Sequence, residues 1–133
     1  MMILQITQKS RYALLTLLEL ALSEIPKCSK DIANRCQIPH RYLEHVLADL
    51  KTAQLVKSSR GAAGGYTLSK AASEIKVLDV LMALQGKAED EVIDPLDPFI
   101  NLIRQRVFEA IPDTLEDLLS TVQYAASPVH YAI

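Results

Sequence analysis

Three of the chain's four glycines, Gly61, Gly64 and Gly65, fall within five positions, inside the stretch SSRGAAGGYTLSK over residues 58–70. Glycine admits positive φ and close backbone approach, so such a cluster concentrates conformational freedom at one place. The flanks say what kind of place it is. Leu55-Val56-Lys57-Ser58 before it and Tyr66-Thr67-Leu68-Ser69 after it have the β-branched and aromatic character of short strands, which predicts a hairpin. Whatever else the chain forms, it must accommodate one two-stranded ribbon with an arginine, Arg60, at its tip.

The remaining sequence is helical in period. Residues 7–23 read as a helix capped by Thr7, with Leu14, Leu17, Leu18, Ala21 and Leu22 at helical spacing and Pro26 as the stop. Ser29 is placed to cap a short second helix reaching Cys36, with Ile32, Ala33 and Cys36 inward. Pro39 suits the opening of a third helix, where a missing N–H costs nothing. That helix runs to about residue 52 with Leu43, Val46, Leu47 and Leu50 as its apolar stripe, leaving His40, Arg41, Glu44, His45, Ala48 and Asp49 outward. Residues 76–85 form a fourth helix ended by Gly86, and an acidic loop follows, broken by Pro95. Residues 98–111 form a longer helix with Phe99, Ile100, Ile103, Val107 and Ile111 along it. Thr114 caps a last helix carrying Leu115, Leu118, Leu119 and Val122, and the tail from residue 125 frays.

Composition sets the class. The chain has 133 residues, half of them hydrophobic, with no tryptophan. This is enough for one domain, or one domain plus an appended element, around a core of Leu, Ile, Val and Ala. Cys28 and Cys36 are eight positions apart, about 12 Å on a helix, too far to bridge. They read as reduced thiols packed as small apolar groups, in a cytoplasmic protein. A redox role for Cys28 near a helix N-terminus is the alternative. Glu19 and Glu24 interrupt the apolar run over residues 12–25, which argues against a signal peptide, and nothing approaches a membrane span. The net charge of −2 hides an asymmetry: residues 1–72 carry ten basic and five acidic side chains, whereas residues 73–133 carry four basic and eleven acidic. A basic first half suits a polyanionic partner.

The glycine loop admits three readings. A phosphate-cradling loop needs a helix after it, and neither a helix nor a Gly-Lys-Ser/Thr follows here. A plain turn requires only the glycines. The third reading takes the order of elements into account: three helices and then a hairpin is the order of a winged helix-turn-helix. The break at residues 37–39 separates two helices as a helix-turn-helix does. The second of these would place His40, Arg41, Glu44 and His45 against base edges, with Glu44 suited to accept from a cytosine amino group. A slim hairpin tip with Arg60 suits the narrow, electronegative minor groove, and Gly61, Gly64 and Gly65 let backbone approach phosphates. A winged-helix protein–protein module that does not bind DNA would keep the fold without needing Arg60. An enzyme is not expected: the three histidines are scattered and no nucleophile or metal spacing is present.

Three stretches, ITQKSRYALLTLLELA (residues 6–21), YLEHVLADLKTAQLVKSSRGAAGGYTLSK (residues 42–70) and EIKVLDVLMALQG (residues 74–86), resemble the bacterial regulators of the IscR, NsrR and CymR type, the Rrf2 family. The resemblance implies a mainly α fold with a small β-hairpin wing (α+β): a winged helix-turn-helix over residues 1–86, an acidic loop over 87–97, dimerisation helices over 98–124 and a flexible tail over 125–133. It implies a homodimeric transcription factor, usually a repressor, on double-stranded DNA with a pseudo-palindromic operator. Tyr42 and Glu44 would lie on the recognition helix and Arg60 in the minor groove. Lys9 and Arg11 would sit near the phosphate backbone, joined by Lys57. Pro39 stands where the family often has a serine. Cluster-sensing members carry three cysteines in the interval that here reads GKAEDEVIDPLDP, which has none, so no iron–sulfur cluster, metal or other cofactor is expected. Glu89, Asp90, Glu91, Asp94 and Asp97 read as a solvated acidic loop. Cluster-free relatives respond to a metabolic enzyme or a small ligand, and the resemblance admits either as a partner.

Overall fold

The computed structural model describes residues 7–84 and 96–122. Among these residues, six α-helices and one hairpin follow in the order α1 (Gln8–Ala21), α2 (Ser29–Cys36), α3 (His40–Thr52), β1 (Val56–Ser59), β2 (Gly65–Leu68), α4 (Val77–Ala83), α5 (Asp97–Ala110) and α6 (Leu115–Val122), with a 3-10 turn at Ala72–Glu74 before α4. The expected α+β architecture is the one observed. The acidic loop through residue 95, Gly86 and the tail from residue 125 lie outside the described residues.

Local chemistry explains most boundaries. The Thr7 hydroxyl accepts from the Ser10 amide at 3.1 Å, satisfying a donor that the first turn of α1 leaves free. At α2 the expectation needs correcting. Cys28 holds the extended cap conformation (φ −74°, ψ 156°), and Ser29 is the first helical residue. Freed from capping, the Ser29 hydroxyl instead meets His40 Nε2 at 3.0 Å, linking the two helices of the helix-turn-helix. Asp31 in the first turn of α2 and Arg35 in the last both complement the helix dipole. Gln37 then takes a left-handed conformation (φ 52°), and the Ile38 amide bonds back to the Ala33 carbonyl at 3.0 Å. Pro39 caps α3, one residue before the helix rather than inside it.

The strands sit one residue from their expected places. β1 and β2 pair antiparallel, Val56 with Leu68 through Ser59 with Gly65. Leu55 is left out of the strand because its amide closes the end of α3 on the Leu50 carbonyl, at 2.9 Å, with its side chain in the core. β2 has a partner on its other edge too. The Lys27 and Tyr66 backbones exchange both hydrogen bonds, at 3.0 and 2.8 Å, so the connection before α2 acts as a one-residue third strand.

Among the described residues, α1–α4 and α6 share one core. Leu17 of α1, Ile32 of α2, Leu43 and Leu47 of α3 and Leu81 of α4 are almost fully buried in it, and so is Leu115 of α6. Non-directional apolar burial drives this assembly. Leu115, the first residue of α6, enters the same core as α1–α4. The Leu115 amide donates to the Ile75 carbonyl and the Val77 amide to the Asp113 carbonyl, both at 3.0 Å. Amphipathic spacing shows that a helix has something to cover, not which surface covers it. Thr114 caps α6 as expected: its hydroxyl accepts from the Asp117 amide, and the Asp117 carboxylate accepts from the Thr114 amide, each at 3.2 Å. α5 differs from the other helices. Phe99, Leu102, Ile103 and Val107 are each two-fifths or more exposed; the side chain of Ile100 lies outside the described residues. Among the described residues, no helix is long and apolar enough to cross a membrane.

Candidate nucleic-acid interface

α3 is divided cleanly by its burial. Leu43, Val46, Leu47 and Leu50 face the core, while His40, Arg41, Glu44 and His45 are exposed, all within its first two turns. An exposed first turn is the part of a recognition helix that meets base edges. His40 sits between neighbours: its Nε2 meets the Ser29 hydroxyl and lies 3.7 Å from Glu44 Oε1, one turn on. The Glu44 carboxylate stays open to solvent, positioned to accept from outside.

Tyr42 is placed differently. It is 37% exposed, and its ring meets Tyr12 of α1 edge to face, with centroids 5.3 Å apart. Gln8 donates to the Tyr12 hydroxyl at 2.8 Å. Tyr42 therefore braces α3 against α1 as well as facing outward. A second link lies alongside, where the Lys9 ammonium is ion-paired with Asp49 of α3. Lys9 thus shares its charge with a carboxylate of α3, and Arg11 is half-buried on α1.

The hairpin follows α3 after three residues. Lys57 and Arg60 are both exposed, and Arg60 is the first residue beyond β1. The Gly64 amide closes a four-residue turn on the Gly61 carbonyl at 3.0 Å. The glycines do separate jobs. Gly61 has φ +102° with open space where a Cβ would stand. Gly65 has φ +147°, and a Cβ there would come within 2.6 Å of the Lys27 carbonyl oxygen. Gly64 is similarly crowded by the Ser59 carbonyl. Two of the three glycines are accounted for by contacts within the protein, and Gly61 alone faces open space.

Some functional neighbours carry no sequence signal. Nothing local marks Tyr12 as the partner of Tyr42, or Glu19 as buried beside Lys27 and Arg35. Of the two cysteines, Cys28 differs from expectation. Cys36 is buried, its thiol 3.8 Å from the Leu15 carbonyl, but Cys28 is exposed because the cap position lies outside the inward face of α2. Among the described residues, no three His, Cys, Asp or Glu side chains gather as metal ligands.

Comparison with known proteins decides what this arrangement belongs to. The family model Rrf2, described as an iron-dependent transcriptional regulator, matches residues 6–127. The chain belongs to the Rrf2 family. CymR of Bacillus subtilis, an HTH-type transcriptional regulator, is 35% identical over 125 residues, covering 88% of this chain and 91% of that protein. Its solved structure, described as that of the global cysteine regulator, superposes with a TM-score of 0.75 at 37% identity over 90% of this chain and 98% of CymR. IscR of T. potens superposes with a TM-score of 0.77 at 31% identity, covering 93% and 92% of the two chains. An rrf2-like HTH-type regulator of Rhodobacter capsulatus is 42% identical over 86 residues, 61% of this chain and 57% of that protein, so the chain spans little more than half of that relative's length. This Rrf2 protein is a helix-turn-helix, DNA-binding transcriptional regulator.

Proposed function

We propose that this Rrf2 protein acts as a homodimeric repressor on a pseudo-palindromic operator, without an iron–sulfur cluster. The observation that carries the reading is the pairing of the exposed α3 face with an exposed arginine at the tip of the adjoining hairpin. His40, Arg41, Glu44 and His45 would meet bases in the major groove, with Tyr42 at their edge. Arg60, on the turn made by Gly61, Gly64 and Gly65, would enter the minor groove. Lys9, Arg11 and Lys57 would meet phosphates and supply affinity without sequence information. The exposed apolar side chains of α5 fit a second copy of the chain, and the acidic second half would then face away from DNA.

The family model's description invokes iron, and the donor set here does not fit a cluster. Iron–sulfur clusters are commonly held by four cysteine thiolates, and this sequence offers two cysteines, one buried in the core and one exposed. With those donors missing, the regulatory signal would arrive by binding. A small metabolite or a partner enzyme is the class we favour, by analogy with CymR, whose structure is described as that of a cysteine regulator.

Selection of bound duplexes from random DNA tests the reading. The expected product is an inverted repeat with half-sites about one helical turn apart, and Glu44→Ala should relax one base position more than it lowers affinity. Recovery of no preferred sequence would contradict it.

A further inference from the structure

Glu19 is the one buried carboxylate among the described residues, only 3% exposed, on the inner side of α1. A carboxylate taken out of water is costly unless cations and hydrogen bonds replace the solvent. Here Arg35 Nε donates to Oε1 at 3.2 Å, and the Lys27 ammonium lies 3.6 Å from Oε2. The two cations belong to different parts of the DNA-binding unit. Arg35 is in the last turn of α2, the first helix of the helix-turn-helix. Lys27 is the residue whose backbone exchanges two hydrogen bonds with Tyr66 of β2, and against whose carbonyl Gly65 packs too closely to carry a side chain.

One oxygen of Glu19 therefore holds the reading unit and the other holds the strand that carries the hairpin. The same helix reaches α3 through Lys9 and Tyr12. An apolar contact would resist separation but allow sliding; a charged, directional contact also fixes orientation. We propose that Glu19 is a positioning residue for DNA binding: its buried carboxylate sets the hairpin against the helix-turn-helix so that Arg60 and the α3 face engage one duplex together. The inference rests on the reading of Arg60 and α3 as the DNA-contacting elements. Glu19 is too buried to touch nucleic acid, so its effect passes through Lys27 and Arg35.

The test uses the full chain and a duplex that it has itself selected. Dissociation constants are measured for the native protein, Glu19→Gln, Arg60→Ala and the double variant, with thermal melting as the check on folding. Gln keeps the shape and removes the charge. Glu19→Gln should weaken binding about tenfold, as residues remote from a ligand can. Arg60→Ala, costing about tenfold in the native background, should cost less than about threefold once Glu19 is changed, because the misplaced tip has already lost its contact. Lys27→Met, at a partly exposed site, cuts only the hairpin side of the link and should reproduce that loss of Arg60 dependence. It decides the matter alone if Glu19→Gln does not fold. An Arg60→Ala penalty of equal size in the native protein and in these variants would overturn the positioning role and leave the hairpin's DNA contact standing. An Arg60→Ala variant that costs nothing in the native background would overturn the DNA contact, and this inference with it.

Discussion

The rings of Tyr12 and Tyr42 meet at 79° with centroids 5.3 Å apart, so α3 is braced on α1 by a residue that also faces outward. Edge-to-face pairs of this kind contribute about 0.5–1.5 kcal/mol beyond their area. A double-mutant cycle with Tyr12→Ala and Tyr42→Ala, read by urea unfolding, should return a coupling in that range. Tyr42→Phe should leave stability unchanged, so that any effect of it on DNA affinity reports the hydroxyl alone.

The Lys9–Asp49 ion pair lies partly exposed at the same junction, and such pairs contribute roughly 0–1 kcal/mol to stability. Its consequence for DNA binding is larger. Asp49→Asn releases the Lys9 ammonium to neutralise a phosphate, and the salt dependence of operator binding should steepen by about one counterion. Lys9→Gln should make it shallower by no more than about that amount. Titration of affinity against salt concentration reads both, and equal slopes for all three proteins would refute the assignment.

Gly61 and Gly65 both hold positive φ, but only at Gly65 would a Cβ meet backbone. Gly61→Ala should cost about 1 kcal/mol or a little more from conformational strain alone. Gly65→Ala adds displacement of the Lys27 strand and should lower the melting temperature further than Gly61→Ala does.

Ile103 is 47% exposed on α5, within the apolar face we assign to a second copy. Ile103→Asp should leave the melting profile of the winged domain intact and shift sedimentation to the monomer. Because a dimer reads two half-sites, operator affinity should fall with it. A variant that remains dimeric would place the interface elsewhere.

Much of this architecture was legible in the sequence because it rests on local rules. The stripe Leu43, Val46, Leu47 and Leu50, the Thr7 and Thr114 caps and the glycine-hinged hairpin all follow from periodicity and backbone preference. What escaped depends on residues distant in sequence. Glu19 reads as an interruption of an apolar run; its burial becomes reasonable only with Arg35 sixteen positions on and Lys27 held beside it by β2. Capping chemistry alone points to Ser29, one residue past the actual cap at Cys28, because the Ser29 hydroxyl is engaged by His40 eleven positions on. Leu115 and the exposed residues of α5 show the same limit. Both helices are amphipathic, and only packing separates the one that closes its own core from the one that leaves its apolar face open.

The exposed guanidinium at the hairpin tip is where the proposed DNA binding is most directly tested. Operator affinity of Arg60→Ala, measured against the native protein at one fixed salt concentration, should fall by about 1–3 kcal/mol, with Arg60→Lys recovering only part because an ammonium lacks the planar fork. Affinity unchanged by Arg60→Ala would contradict the account.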